Sequence, residues 1–179
     1  MGVDKATVTL DGVTLLERAL ERLDKVCDPV LIAPGAVPLH VTGRRSVADA
    51  VPGAGPLGGL VAALRASTHR LLAVVAVDLP WIDPSLLAML AATIGDGDVA
   101  VCETSRGIEP LHAVYSVSLL GAAEAALAGP DRSLRHLIER SDVRRLPERK
   151  WRAAGISARF SDNVNTPEDL ARVTRDRPR

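Results

Sequence analysis

Residues 71–78 read Leu71-Leu72-Ala73-Val74-Val75-Ala76-Val77-Asp78. An unbroken apolar run ends at a carboxylate. It is far shorter than the ~20 residues of a membrane-spanning helix. A strand that is apolar at every position is covered on both faces, as at the centre of a parallel sheet flanked by helices. The flanking sequence agrees. Downstream, Asp83-Pro84 predicts a helix start, with the helix running to about Thr93. Asp98–Cys102 and Leu111–Tyr115 read as strands, Val117–Ala128 as an Ala-rich helix, Ser133–Arg140 as a short helix and Val143–Leu146 as a strand. Upstream, Val30–Ala33 and Ser46–Asp49 read as short strands, and Pro56 suits the first turn of a helix reaching Ser67. Thr7–Leu10 alternates polar with apolar residues up to the Asp11-Gly12 turn, and Thr14 with Glu17 makes a capping box. Thr166-Pro167-Glu168-Asp169 opens the last helix. Strands alternating with helices predict an α/β sheet covered on both faces. No repeat or linker interrupts it, so we expect one domain over residues 1–172 and a frayed tail at 173–179.

Composition narrows the function classes. The 179 residues carry 22 Lys+Arg against 22 Asp+Glu, so the formal net charge is +0. That balance argues against a nucleic-acid surface, which must be basic to meet phosphates. Aromatic residues are only 2%, too few for base-stacking platforms. No stretch is long enough to span a membrane, and no signal pattern opens the chain. Cys27 and Cys102 are isolated and read as reduced thiols, which points to the cytoplasm. His40, His69, His112 and His136 have no metal-ligand spacing, and nucleophile-elbow and Walker motifs are absent.

In an open α/β sheet, ligands bind beyond the carboxyl ends of the strands. That rule singles out Asp49 and Asp78. A carboxylate at Asp78 suits a magnesium ion, which prefers oxygen and takes few protein ligands besides water and phosphate; it suits a loop aspartate beside Leu79-Pro80 equally well. Pro52-Gly53-Ala54-Gly55-Pro56-Leu57-Gly58-Gly59 could bring backbone N–H groups of Leu57, Gly58 and Gly59 to a ligand, or could be a tight turn feeding a helix. Lys5 could neutralise phosphate charge or simply be solvated. Asn163 and Asn165 fit a capped helix start, though two asparagines are modestly more than a cap requires. Arg106, Arg132 and Arg135 could meet an anion or be solvated.

Seven stretches in order carry a resemblance: M-G-V-D-K (1–5), T-L-L-E-R-A-L-E-R-L (14–23), V-P-G-A-G-P-L-G-G-L (51–60), V-V-A-V-D-L-P-W-I (74–82), E-P-L-H-A-V-Y (109–115), R-S-L-R-H-L-I (132–138) and N-V-N-T-P-E-D-L (163–170). Over nearly the whole chain they resemble the molybdenum cofactor guanylyltransferases. The resemblance implies a nucleotidyltransferase-like, Rossmann-type fold: a single-domain, mostly parallel doubly wound sheet. It implies transfer of GMP from GTP to molybdenum-molybdopterin, with pyrophosphate released, and Mg²⁺ at Asp78. It places Lys5 and Asp78 in catalysis, and Gly2, Lys5, Asp49, Gly55, Pro56, Leu57, Gly58 and Asp78 at the nucleotide. Asn163 and Asn165 fall on the pterin side. Other cofactor-assembly proteins or the receiving molybdoenzyme are the implied partners.

The sequence departs from the family pattern as well. The family's first strand and its L-A-G-G-x-S-x-R loop do not precede M-G-V-D-K, so Met1 reads as an internal Met of a longer gene, and strand edges inside the sheet are expected to lack a partner. Ala33-Pro34 stands where the family often has Asn, and Gly58 where it often has Ala. Two rival readings remain: a nucleotidyltransferase of the same fold using a sugar-phosphate or isoprenoid-phosphate acceptor, or a shortened, non-catalytic paralogue.

Overall fold

A computed structural model of the chain describes residues 5–35, 39, 41–49 and 51–175. The elements in order are β1 (Thr9–Leu10), β2 (Val13–Thr14), α1 (Leu15–Leu23), β3 (Leu31–Ile32), β4 (Arg45–Ser46), α2 (Pro56–Ala66), β5 (Leu71–Val75), α3 (Pro84–Thr93), β6 (Val99–Thr104), β7 (Gly107–Ile108), β8 (His112–Ser116), α4 (Leu120–Ala128), α5 (Leu134–Glu139), β9 (Val143–Leu146), α6 (Glu148–Ala153) and α7 (Pro167–Arg175). Short 3₁₀ turns cover Lys5–Thr7, Val117–Leu119 and Ala158–Ser161. No helix among the described residues is long and apolar enough to cross a membrane. The expected tail begins too early: α7 continues to Arg175, and Val173 is buried against Leu10, Leu15 and Val164. Residues 176–179 lie outside the described residues.

Local chemistry sets the element boundaries. Asp11 at φ +60° and Gly12 at φ +78° turn β1 into β2, a conformation that suits Asp-Gly. The Thr14–Glu17 capping box closes in both directions at the start of α1. Asp83 accepts from the N–H groups of Ser85 and Leu86 to start α3.

The main sheet runs β5-β8-β6-β9, with β7 folded back on the end of β6. Strand β8 is antiparallel to both β5 and β6, whereas β6 and β9 are parallel. Strands β5, β6 and β9 therefore point the same way around one reversed strand. Side chains alternate between the two faces. Val99, Val101, Ala113 and Tyr115 pack beneath α2, α4 and α5. Ala100, Cys102, Val114 and Leu146 pack against α3, Trp151 and Phe160. Full burial of side chains such as Leu57, Leu64, Leu86 and Leu90 contributes roughly 1.5–3 kcal/mol each.

The Leu71–Val77 run differs from its expectation. Its partner β8 is antiparallel, the strand ends at Val75, and all five strand residues are only half-buried. The reason is a gap. Strands β3 and β4 form a separate parallel pair. Between β3 and β5 lies a slot of about 1150 Å³, lined by Leu16, Ala19 and Leu20 of α1, Leu60 and Ala63 of α2, and Ala88 of α3. The edges facing this slot have no strand partner among the described residues. We expect more deuterium uptake over residues 71–77 than over Val99–Cys102 at equal times; equal protection would contradict the open edge.

His112 is enclosed on β8, edge-to-face with Phe160 at 5.2 Å, with Nδ1 3.5 Å from the Phe160 carbonyl oxygen. Burial lowers its pKa from 6.5 to about 4, against a smaller upward pull from backbone contacts at Phe160 and Asp83 and from the Asp83 charge. The unfolded chain therefore binds the extra proton first as pH falls. Stability should decline between pH 6.5 and about 4, by on the order of 3 kcal/mol from this group, and be unaffected by it above 6.5. NMR titration should find the ring neutral at pH 5.5; a midpoint near 6.5 would contradict its burial.

Candidate functional site at the end of strand β5

The sequence brings Asp78 to the end of β5 and then fixes it through the backbone. Leu79 N–H donates to the Ala76 carbonyl at 3.2 Å, making a turn around Asp78. Val164 N–H donates to the Asp78 carbonyl at 2.9 Å. Val164 is itself buried with Leu10, Leu15 and Val173, so the C-terminal segment is anchored by its apolar side chain.

Two polar side chains meet there. Lys5 Nζ lies 2.7 Å from Asp78 Oδ2 and donates to Asn165 Oδ1 as well. The Asp78 side chain retains 19% of its exposure and Lys5 39%, so the pair is accessible from solvent. Asn165 is held by its own helix: Asp169 Oδ2 accepts from the N–H groups of Asn165 and Thr166, both at 3.0 Å, and Asp169 N–H donates to Thr166 Oγ1 at 3.1 Å. The Asn165 N–H is the first reason the Asp169 carboxyl sits below its ordinary range. Thus N-V-N-T-P-E-D-L combines a buried valine, a capped helix start and one amide aimed at Lys5.

Of the other expected residues, Asn163 is exposed, and its carbonyl accepts from Arg172 at 3.5 Å. The structure places Asn165 against Lys5; it gives Asn163 no such contact. Gly2 lies outside the described residues. Arg106 is bonded to Ser161 and pairs with Asp162 at 3.2 Å. Arg135 lines a separate polar hollow with Glu103 and Glu139, and Arg132 is exposed.

Asp49 follows β4 and packs beside the start of α2. A methyl group on Gly58 or Gly59 would come within 3.5 and 3.6 Å of its carboxylate oxygens. Gly55 caps α2 at φ +65°, a conformation that only glycine adopts readily. Of the two readings of this stretch, the geometry agrees with a tight turn feeding a helix: the N–H groups of Gly58 and Gly59 donate to the Gly55 carbonyl, at 3.0 and 3.5 Å, as the first turn of α2 closes on its N-cap. The Leu57 side chain is fully buried in the core. Asp49 Oδ1 is enclosed without a hydrogen-bond partner among the described residues, and burial raises the carboxyl's pKa.

Glu109 is a site candidate that the motifs alone do not single out. It is half-buried, and burial is the main cause of its raised pKa, with the Asp78 charge adding to it. A carboxylate before a proline at the start of an apolar strand was the available signal. The slot does not contain the Lys5–Asp78 pair; along the 49–59 stretch its lining includes Asp49, Gly53, Gly55, Pro56 and Gly59.

Comparison with known proteins decides the family. The MobA-like NTP transferase domain matches residues 1–146. The chain belongs to that family. The "Probable molybdenum cofactor guanylyltransferase" of Opitutus terrae is 36% identical over 187 residues, covering 98% of this chain and 89% of the relative. The "Molybdenum cofactor guanylyltransferase" of Desulfosudis oleivorans is 30% identical over 175 residues, covering 96% and 86%. The crystal structure of molybdopterin-guanine dinucleotide biosynthesis protein A from Archaeoglobus fulgidus superposes with a TM-score of 0.82 at 25% identity, covering 97% of this chain and 90% of that one. The chain is a nucleotidyltransferase of the molybdenum cofactor guanylyltransferase type.

An enclosed carboxylate oxygen without a partner destabilises a fold. We therefore expect Asp49→Asn to raise the urea midpoint of the ligand-free chain at pH 7. A lower midpoint would show that the charge has a partner at that position.

Proposed function

We propose that the chain transfers GMP from GTP to molybdenum-molybdopterin, forming the guanine dinucleotide cofactor and pyrophosphate. The observation that carries this reading is the Lys5–Asp78–Asn165 cluster at the end of β5: one cation, one carboxylate and one amide oxygen on three separate segments. The relatives' names support the nucleotide and the acceptor.

The donor set fits Mg²⁺. Among the described residues, no group of three or more His, Cys, Asp or Glu side chains is placed to hold a metal. A magnesium ion with few protein ligands meets that condition, since phosphate and water oxygens complete its shell. Asp78 would hold it, with Asn165 Oδ1 as the neighbouring oxygen. When bound, the ion neutralises phosphate charge and favours departure of pyrophosphate.

The chain's own residues do the rest. Lys5 now neutralises Asp78; with a nucleotide present, its flexible ammonium turns to the phosphates and frees the carboxylate. Asn165 orients Lys5 through its side-chain oxygen, while Asp169 keeps Asn165 in place. Asp49, beside the Gly55–Gly58 turn, supplies a carboxylate acceptor for donors on the base once the loop moves to uncover its enclosed Oδ1. Asn163, exposed beyond this cluster, is free to reach the pterin side. The acceptor phosphate attacks the α-phosphorus in line, so positioning and charge neutralisation suffice and no protein nucleophile is required.

The test is pyrophosphate release with molybdenum-molybdopterin and each of the four nucleoside triphosphates. We expect turnover with GTP and Mg²⁺, and a loss of about 10²–10³-fold in kcat for Asp78→Asn with the fold intact. Preference for CTP, or undiminished turnover in Asp78→Asn, would overturn the assignment. Absence of turnover with every nucleotide would favour a non-catalytic relative.

A further inference from the structure

The E-P-L-H-A-V-Y stretch has no part in the mechanism above, yet its bonds converge on the end of β5. The β5–β8 ladder closes with the Val75–His112 pair. One further bond continues it: Ala76 N–H donates to the Leu111 carbonyl at 2.9 Å. Ala76 is also the first residue of the turn that presents Asp78, because its carbonyl accepts from Leu79. The position of the Asp78 carboxylate therefore depends on where the Leu111 carbonyl stands.

Two side chains hold the peptide that precedes that carbonyl. Glu109 Oε1 accepts from Leu111 N–H at 3.1 Å. The hydroxyl of Tyr115, a fully buried residue, donates to the Pro110 carbonyl at 2.8 Å. Both polar groups of the Pro110–Leu111 peptide are thereby paired with side chains, which fixes the orientation of that peptide. We propose that Glu109 and Tyr115 are positioning residues of the nucleotidyl-transfer site: they fix the 109–111 turn against the end of β5 and so hold Asp78 in its working orientation. The inference rests on the reading of Asp78 as the metal-holding carboxylate. Its structural half, the coupling of both side chains to Ala76, stands apart from that reading.

The test uses the full chain with Glu109→Ala, Glu109→Gln and Tyr115→Phe. Three quantities are read: amide exchange at Ala76, Mn²⁺ affinity by electron paramagnetic resonance, and kcat against KM for GTP. Glu109→Ala and Tyr115→Phe each remove one hydrogen bond. Each should speed Ala76 exchange and weaken Mn²⁺ binding by roughly five- to tenfold, lowering kcat more than it raises KM. Glu109→Gln should recover most of the loss, since its amide oxygen still accepts from Leu111. Unchanged Ala76 exchange in both Glu109→Ala and Tyr115→Phe would overturn the proposal. So would a Glu109→Gln variant as impaired as Glu109→Ala, which would show that the charge matters and the acceptor does not. A wild-type chain that takes up no Mn²⁺ would sink the metal reading of Asp78, and Ala76 exchange would still decide whether the turn is held as described.

Discussion

The ion pair between Lys5 and Asp78 organises the site, and it works because Asp78 has a fixed backbone. The turn from Ala76 to Leu79 presents the carboxylate, and the Val164 N–H pins its carbonyl from the opposite segment. Residues 73 and 160 positions away are thereby joined to one lysine. A carboxylate left alone at the end of an apolar strand would be costly to the extent that it is buried. Here it is partly solvated and paired with a flexible ammonium. A half-exposed pair of this kind contributes little stability; its value lies in poise.

The surrounding fold is uneven in its support. On one side of β5 the sheet is fully paired through β8, β6 and β9, with helices packed on both faces. On the other side lies the slot, and β3 with β4 stands beyond it as a separate pair. Asp49 and the Gly55 turn line that slot, whereas Asp78 is tied through Val164 to the cluster of Leu10, Leu15 and Val173.

Much of this was legible in the residues. Asp83-Pro84, Thr14 with Glu17, and Thr166 with Asp169 mark helix starts through side-chain caps, a local chemistry that needs no tertiary knowledge. The end of the apolar run gave Asp78 its place. What escaped was non-local. The antiparallel direction of β8 depends on pairing across forty residues, and an apolar strand looks the same in either direction. Helix α6 was missed because Glu148–Ala153 offers a single large apolar anchor, Trp151, whose indole N–H reaches the Glu103 carbonyl at 3.0 Å. The bonds of Gly58 and Gly59 to Gly55, and the roles of Glu109 and Tyr115, follow from three-dimensional geometry that spacing does not encode. Asn163 and Asn165 look equivalent in sequence; the buried Val164 between them separates their environments.

The most direct measurement is a crystal of the chain grown with GTP and Mn²⁺, examined for the metal's anomalous signal. A peak is expected at coordination distance from the Asp78 carboxylate, with nucleotide phosphates bridging to Lys5. Ordered nucleotide with the manganese peak elsewhere on the protein, and Lys5 still paired to Asp78, would contradict it.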